Sequence, residues 1–135
     1  MRRRFGSDDS GMSAVEFAIL SPILLTLVFG IIEFALILFT YNAAGHAAWD
    51  VTRQLATNRL TSAQASAAAT SGLPSWVQSQ ATVNVQASST DPTTNRYTVS
   101  ISFPATAATP STFLSWAYST TTLTAQSTMQ QEPTS

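Results

Sequence analysis

Apolar and polar positions divide this chain into two unlike parts. From Phe17 to Ile32 no residue is charged, and the apolar run resumes from Phe34 to Phe39. About 20 residues are enough to cross a hydrocarbon core of about 30 Å. The run from Phe17 to Tyr41 exceeds that, so it can span with tilt. A buried core helix has similar hydropathy, but the length and an arginine-bearing flank point to a membrane span. Pro22 lacks an N–H and crowds the carbonyl one turn back, which predicts a mild kink. Thr26 and Ser21 can bond back to helix carbonyls there. Gly30 reads as a close-approach position, and Tyr41 sits where an interfacial aromatic belongs.

Beyond Tyr41 the pattern changes period. Ala44, Ala48, Val51 and Leu55 recur at helical spacing and form one apolar stripe. This predicts that the membrane helix continues outside the bilayer to about Asn58. Asp50 lies within helical reach of both Arg53 and His46. Ala43, Ala44, Gly45, Ala47 and Ala48 form a narrow collar. Either it allows close helix approach or it reflects alanine's helix propensity. Thr61-Ser62 reads as the cap of a second helix through Ala69, and Gly72 and Pro74 end it.

Three later stretches alternate with period two: Val83, Val85, Ala87; Tyr97, Val99, Ile101, Phe103; and, more weakly, Leu123, Ala125, Ser127, Met129. They predict a three-stranded antiparallel sheet, polar on one face. Ser88–Asn95, with Asp91-Pro92, is the first connection. Pro104–Pro110 is the second, followed by a short helix within Ser111–Tyr118 that carries Phe113, Leu114 and Trp116 over the sheet. Trp76, Val77, Tyr97 and Trp116 are assigned to the core; exposed, Trp76 and Trp116 would mark a partner site. The apolar supply of this part is thin, so the sheet is expected to lie on the helical extension as its second layer. The tail from Gln130 is expected to fray. The resulting fold class is an α+β membrane protein: a long N-terminal transmembrane helix continuing outside the membrane, packed with a small sheet.

Charge adds direction. Charged residues are 10% of the chain and the net charge is −1. Arg2, Arg3 and Arg4 precede the apolar run and, under the positive-inside rule, hold the N-terminus in the cytoplasm. Asp8 and Asp9 count little for topology. No basic stripe runs through the body, which removes the footing for nucleic-acid binding. The chain has no Cys, hence no disulfide, thiolate metal site or thiol nucleophile. His46, the lone histidine, has no visible metal partners. No GxSxG, HExxH or phosphate loop occurs, so neither enzymatic activity nor a cofactor is expected.

Two acids stand in the apolar segment. An acid at mid-bilayer costs about 2–3 kcal/mol or more, so Glu16 and Glu33 should lie near an interface or be protonated or paired. Glu33 reads as a marker of the outer end of the span. Gly11-Met12-Ser13-Ala14-Val15-Glu16-Phe17 is different. It places a glycine, four small or apolar residues and Glu-Phe between a basic leader and the mouth of the helix.

That heptapeptide resembles the processing site of type IV pilin-like precursors. Together with the following apolar run, Phe29-Gly30-Ile31-Ile32-Glu33-Phe34, and Asn42-Ala43-Ala44 through Arg53, it resembles the TadE-like family of the tight-adherence (Tad) pilus and secretion machinery. The resemblance covers about residues 11–53. It implies a 1–11 leader and a 17–41 transmembrane helix within the 11–53 domain. A helical extension and linker over 54–72 and an extracytoplasmic β-rich domain over 73–135 follow. It further implies a pseudopilin or minor pilin of the bacterial inner membrane. A prepilin peptidase would cut it after Gly11, with Gly11, Met12, Glu16 and Phe17 as the processing site. The Glu16 carboxylate would meet the freed amine of a neighbouring subunit. The implied partners are that peptidase, other pilin-like subunits, the Tad inner-membrane machinery and the lipid bilayer. The stretch after Tyr41 is less basic than the family pattern. The alternative is an uncleaved single-pass anchor whose outer domain binds an envelope or secretion partner.

Overall fold

A computed structural model describes residues 9–133 of the chain. Arg2, Arg3 and Arg4 lie outside the described residues. Helix α1 runs unbroken from Asp9 to Ala56, with Pro22 inside it. Thr26 Oγ1 donates to the Pro22 carbonyl at 2.8 Å. The helix is long and apolar enough to cross a membrane.

α2 (Ser62–Ser71) starts where Thr61 predicts, because Gln64 Oε1 accepts from both the Thr61 amide and its hydroxyl. Gly72 ends it, and α3 (Ser75–Gln78) follows Pro74. β1 (Thr82–Ala87), β2 (Arg96–Pro104) and β3 (Thr122–Gln130) form one antiparallel sheet in that order. A 3-10 turn (Ala105–Ala107) and α4 (Ser115–Tyr118) connect β2 to β3.

The register aligns the apolar face row by row. Val83, Ile101 and Ala125 are cross-strand neighbours, as are Val85, Val99 and Ser127. On the other face Thr98 pairs with Thr128 and Ser102 with Thr124, each through hydroxyls 3.0 Å apart. The sheet therefore offers one apolar side, and the outer half of α1 covers it. Val99, Ile101, Phe103 and Ala125 share a buried cluster with Ile37, Ala44, Ala48, Val51 and Leu55 of α1. Ala65 and Ala69 of α2 complete it.

The alanine collar resolves toward close approach. Ala44, Ala47 and Ala48 are buried, and a Cβ built at Gly72 would lie 3.0 Å from that of Ala47. Side chains larger than methyl would force α1 away from the α2 terminus. Gly45 lies beside this contact rather than in it, since nothing lies within 4 Å of a Cβ built there.

Three expectations are corrected. Trp116 is not core: it is 78% exposed, because α4 is a single turn hung beside the apolar helix rather than laid over the sheet. The tail is tied down to Glu132, because α1 leaves carbonyls at its end that need donors. Glu132 N–H donates to Ala56 O at 2.8 Å, and Gln131 bonds Asn58 and Asn95. Asn58 has φ 55°, and this left-handed residue turns the chain past the helix end. Finally, Trp76 is not core either: it is exposed, because its ring lies against Phe39 on the flank of α1 and only its N–H turns inward, toward Thr40 and Ala108. Asp50 accepts from Gln54 Nε2 at 2.8 Å, and Arg53 lies 5.6 Å above the Trp49 ring.

Candidate functional site

α1 has a bare half and a covered half. From Gly11 to Ile32 nearly every side chain is exposed, including Met12, Phe17, Ile19, Leu24 and Phe29. Gly11, Met12, Glu16 and Phe17 all lie on this bare half. Gly11 sits within α1, and a Cβ built there would meet nothing within 4 Å. Gly11 thus stands in the open in the first turn of α1.

From Glu33 onward one stripe is buried: Glu33, Ile37, Thr40, Ala44, Ala47, Val51 and Leu55, with Ala48 and Thr52 beside it. Successive members are three or four residues apart, the seam of a helix that packs along its length. The sequence reading recognised this stripe only from Ala44 outward. Its inner end lies inside the apolar run, where hydropathy is uniform and hides the periodicity.

Glu33 is the main surprise of the site. It is 1% exposed, so its carboxylate must find protein donors. Its Oε2 accepts from the Leu114 amide at 2.8 Å, and its Oε1 accepts from the Tyr118 hydroxyl. Leu114 precedes α4 and Tyr118 is its last residue. Desolvation, and then the bond to Glu33, push the Tyr118 phenol up to about 12 from 10.0. Tyr118 therefore stays an O–H donor further into alkaline pH than a free phenol. Glu33 does not simply mark the end of the span; it clasps the β2–β3 connection to the helix.

A second clasp stands two turns further out. Thr40 Oγ1 donates to the Ala108 carbonyl at 2.5 Å. Trp76 Nε1 approaches both Thr40 Oγ1 and Ala108 O at 3.3 Å. Trp76 is exposed, but its N–H points into this junction, and its ring lies 6.4 Å from that of Phe39. Below both clasps, Leu114 closes on Gly30, where a Cβ would lie 3.1 Å from Leu114 Cδ1. The Phe113 ring lies 5.4 Å from that of Phe29.

The sequence reading missed the Glu33 and Thr40 clasps as connections. The available signal was the spacing of Gly30, Glu33, Ile37, Thr40 and Ala44, which carries the outer stripe back into the apolar run. Among the described residues no three His, Cys, Asp or Glu side chains gather to hold a metal. The arrangement suits a helix that presents one bare half laterally while holding a small domain rigidly on the other.

No curated protein and no solved structure matches the chain. Residues 11–53, which make up most of α1 from Gly11 to Arg53 in its last turn, match the family model described as TadE-like protein, and that segment is similar to this family.

Proposed function

We propose that this chain is a single-pass pseudopilin or minor pilin that serves Tad pilus assembly or secretion in a structural, non-enzymatic role. The observation that carries this reading is the placement of Gly11 and Glu16-Phe17 at the start of a bare apolar helix, within the TadE-like segment. In this reading the N-terminus is cytoplasmic and the sheet lies on the far side of the bacterial inner membrane.

A prepilin peptidase removes residues 1–11. Cleavage leaves an ammonium on Met12, and Glu16 becomes the fifth residue of the mature chain. An unpaired carboxylate is costly in low dielectric, so a neighbour's ammonium is a strong partner for it. One such pair per subunit fixes how far adjacent helices slide past each other. The bare half of α1 supplies the apolar surface for lateral packing against other pilin-like subunits, where packing rather than water exclusion drives association.

N-terminal sequencing of the membrane-extracted protein, from cells with an active prepilin peptidase, tests the processing step. A first residue of Met12 is expected; a chain beginning at Met1 overturns it and favours the uncleaved anchor. Glu16→Gln should leave insertion and cleavage intact and reduce assembly, read as subunit recovered in sheared surface fractions. Unchanged recovery removes the register role.

A further inference from the structure

The clasps hold part of the outer domain beside residues of the apolar run, and this fixes its depth. Taking Glu16 at the inner interface, the roughly 20 residues that cross the hydrocarbon run from Phe17 to about Leu36. Leu114 packs at the level of Gly30, six residues earlier, which is about 9 Å below that outer boundary at ~1.5 Å per residue. Phe113 packs at the level of Phe29. Amphipathic segments lying in a membrane interface bury their apolar faces to about this depth, roughly 5–10 Å.

The chemistry of the segment suits that place. Phe113 is 52% exposed and Trp116 78%, although both side chains are large and apolar. No charged residue occurs between Arg96 and Glu132. The amides of Ser111, Leu114, Ser115 and Ala117 all have acceptors within the protein. Each amide so paired lowers the cost of placing this turn against lipid. A tryptophan prefers the headgroup level, where its ring is apolar and its N–H wet. The same depth explains why Glu33 draws both its donors from the outer domain.

We infer that residues 113–116 form a second membrane contact, a lipid-interface anchor at the base of the outer domain, with Phe113 and Trp116 seated among the headgroups and upper acyl chains of the outer leaflet. The sheet is then held by its base as well as by α1, and cannot tilt freely about the helix. This rests on α1 crossing a bilayer.

The test uses the full chain in phosphatidylcholine/phosphatidylglycerol liposomes. Trp116 fluorescence is isolated as the difference between the native protein and Trp116→Phe, a mild change at an exposed site. Lipids brominated near the glycerol end of the acyl chain should quench that component at least twofold, while aqueous acrylamide quenches it weakly. Trp49, 13 residues beyond Leu36 along the helix and therefore about 20 Å further out, provides the aqueous reference through Trp49→Phe. Quenching of Trp116 by acrylamide and not by brominated lipid overturns the anchor. Shielding from both quenchers also overturns it, in favour of a protein cover such as a second copy. Flotation with the liposomes after alkaline carbonate separates the two levels. A protein that floats with a water-exposed Trp116 loses only the anchor, and one that does not float loses the membrane span as well.

Discussion

The two halves of α1 are built from similar apolar residues and meet different fates. Leu24 is 53% exposed and Leu55 is 1% exposed, on one continuous helix. The inner half touches the rest of the protein only near its end, at Phe29 and Gly30, so most of its surface is bare. The outer half turns one stripe onto a sheet whose own apolar supply is too small to close a core alone. The boundary falls at Glu33, the first buried residue of α1 and the first to hydrogen-bond the small domain. Hydrophobicity therefore does not by itself say what a residue faces; the polar residues that interrupt it mark where the environment changes.

Identical substitutions should separate the halves most sharply. Leu55→Ala should destabilise the outer domain by about 3 kcal/mol, through lost burial and an unfilled cavity. Leu24→Ala should leave it unchanged. Thermal unfolding of the detergent-solubilised protein, followed by near-UV circular dichroism, checks both. Equal effects would break the distinction.

The boundary itself comes next. Glu33→Ala strands the Leu114 amide and the Tyr118 hydroxyl, a loss of about 2 kcal/mol. Proteolysis of the β2–β3 connection should accelerate while β1 stays protected. The pH dependence has a definite sign. Because folding raises the Tyr118 pKa from 10.0 to about 12, its contribution is complete below pH 10 and is lost as pH rises toward 12. Tyr118→Phe should remove that alkaline component, which spectroscopic titration of tyrosinate with parallel proteolysis would show.

The smallest effects belong to the collar. Gly72→Val should cost about 1 kcal/mol by pushing α2 from Ala47. Gly45→Ala should gain about 0.5–1 kcal/mol, because its site is open and alanine is the better helix former. Opposite shifts in the melting temperature would sharpen the assignment of the collar as an intramolecular contact; equal shifts would undo it.

Much of the architecture was legible locally. The helix start at Thr61-Ser62, the period-two strands and the Ala44–Leu55 stripe each depend on neighbours a few residues away, so spacing alone displays them. The Gly11–Phe17 motif is legible for the same reason, and its chemistry awaits the cleavage test. Trp116 departs from the core assignment because size and hydrophobicity favour burial in a soluble core, whereas its turn hangs beside the bare apolar half of α1.

Local patterning is enough to set the order of elements: a long apolar helix, its amphipathic extension, and a sheet with one apolar face. Those follow from periodicity and from backbone hydrogen bonding, which are properties of short segments. Only the tertiary structure decided where the sheet grips the helix. Glu33 meets Leu114 and Tyr118 across 81 and 85 residues, and Thr40 meets Ala108 across 68. No spacing rule reaches that far. A buried carboxylate takes whichever donors the packed chain brings to it, and that choice is made by the fold as a whole.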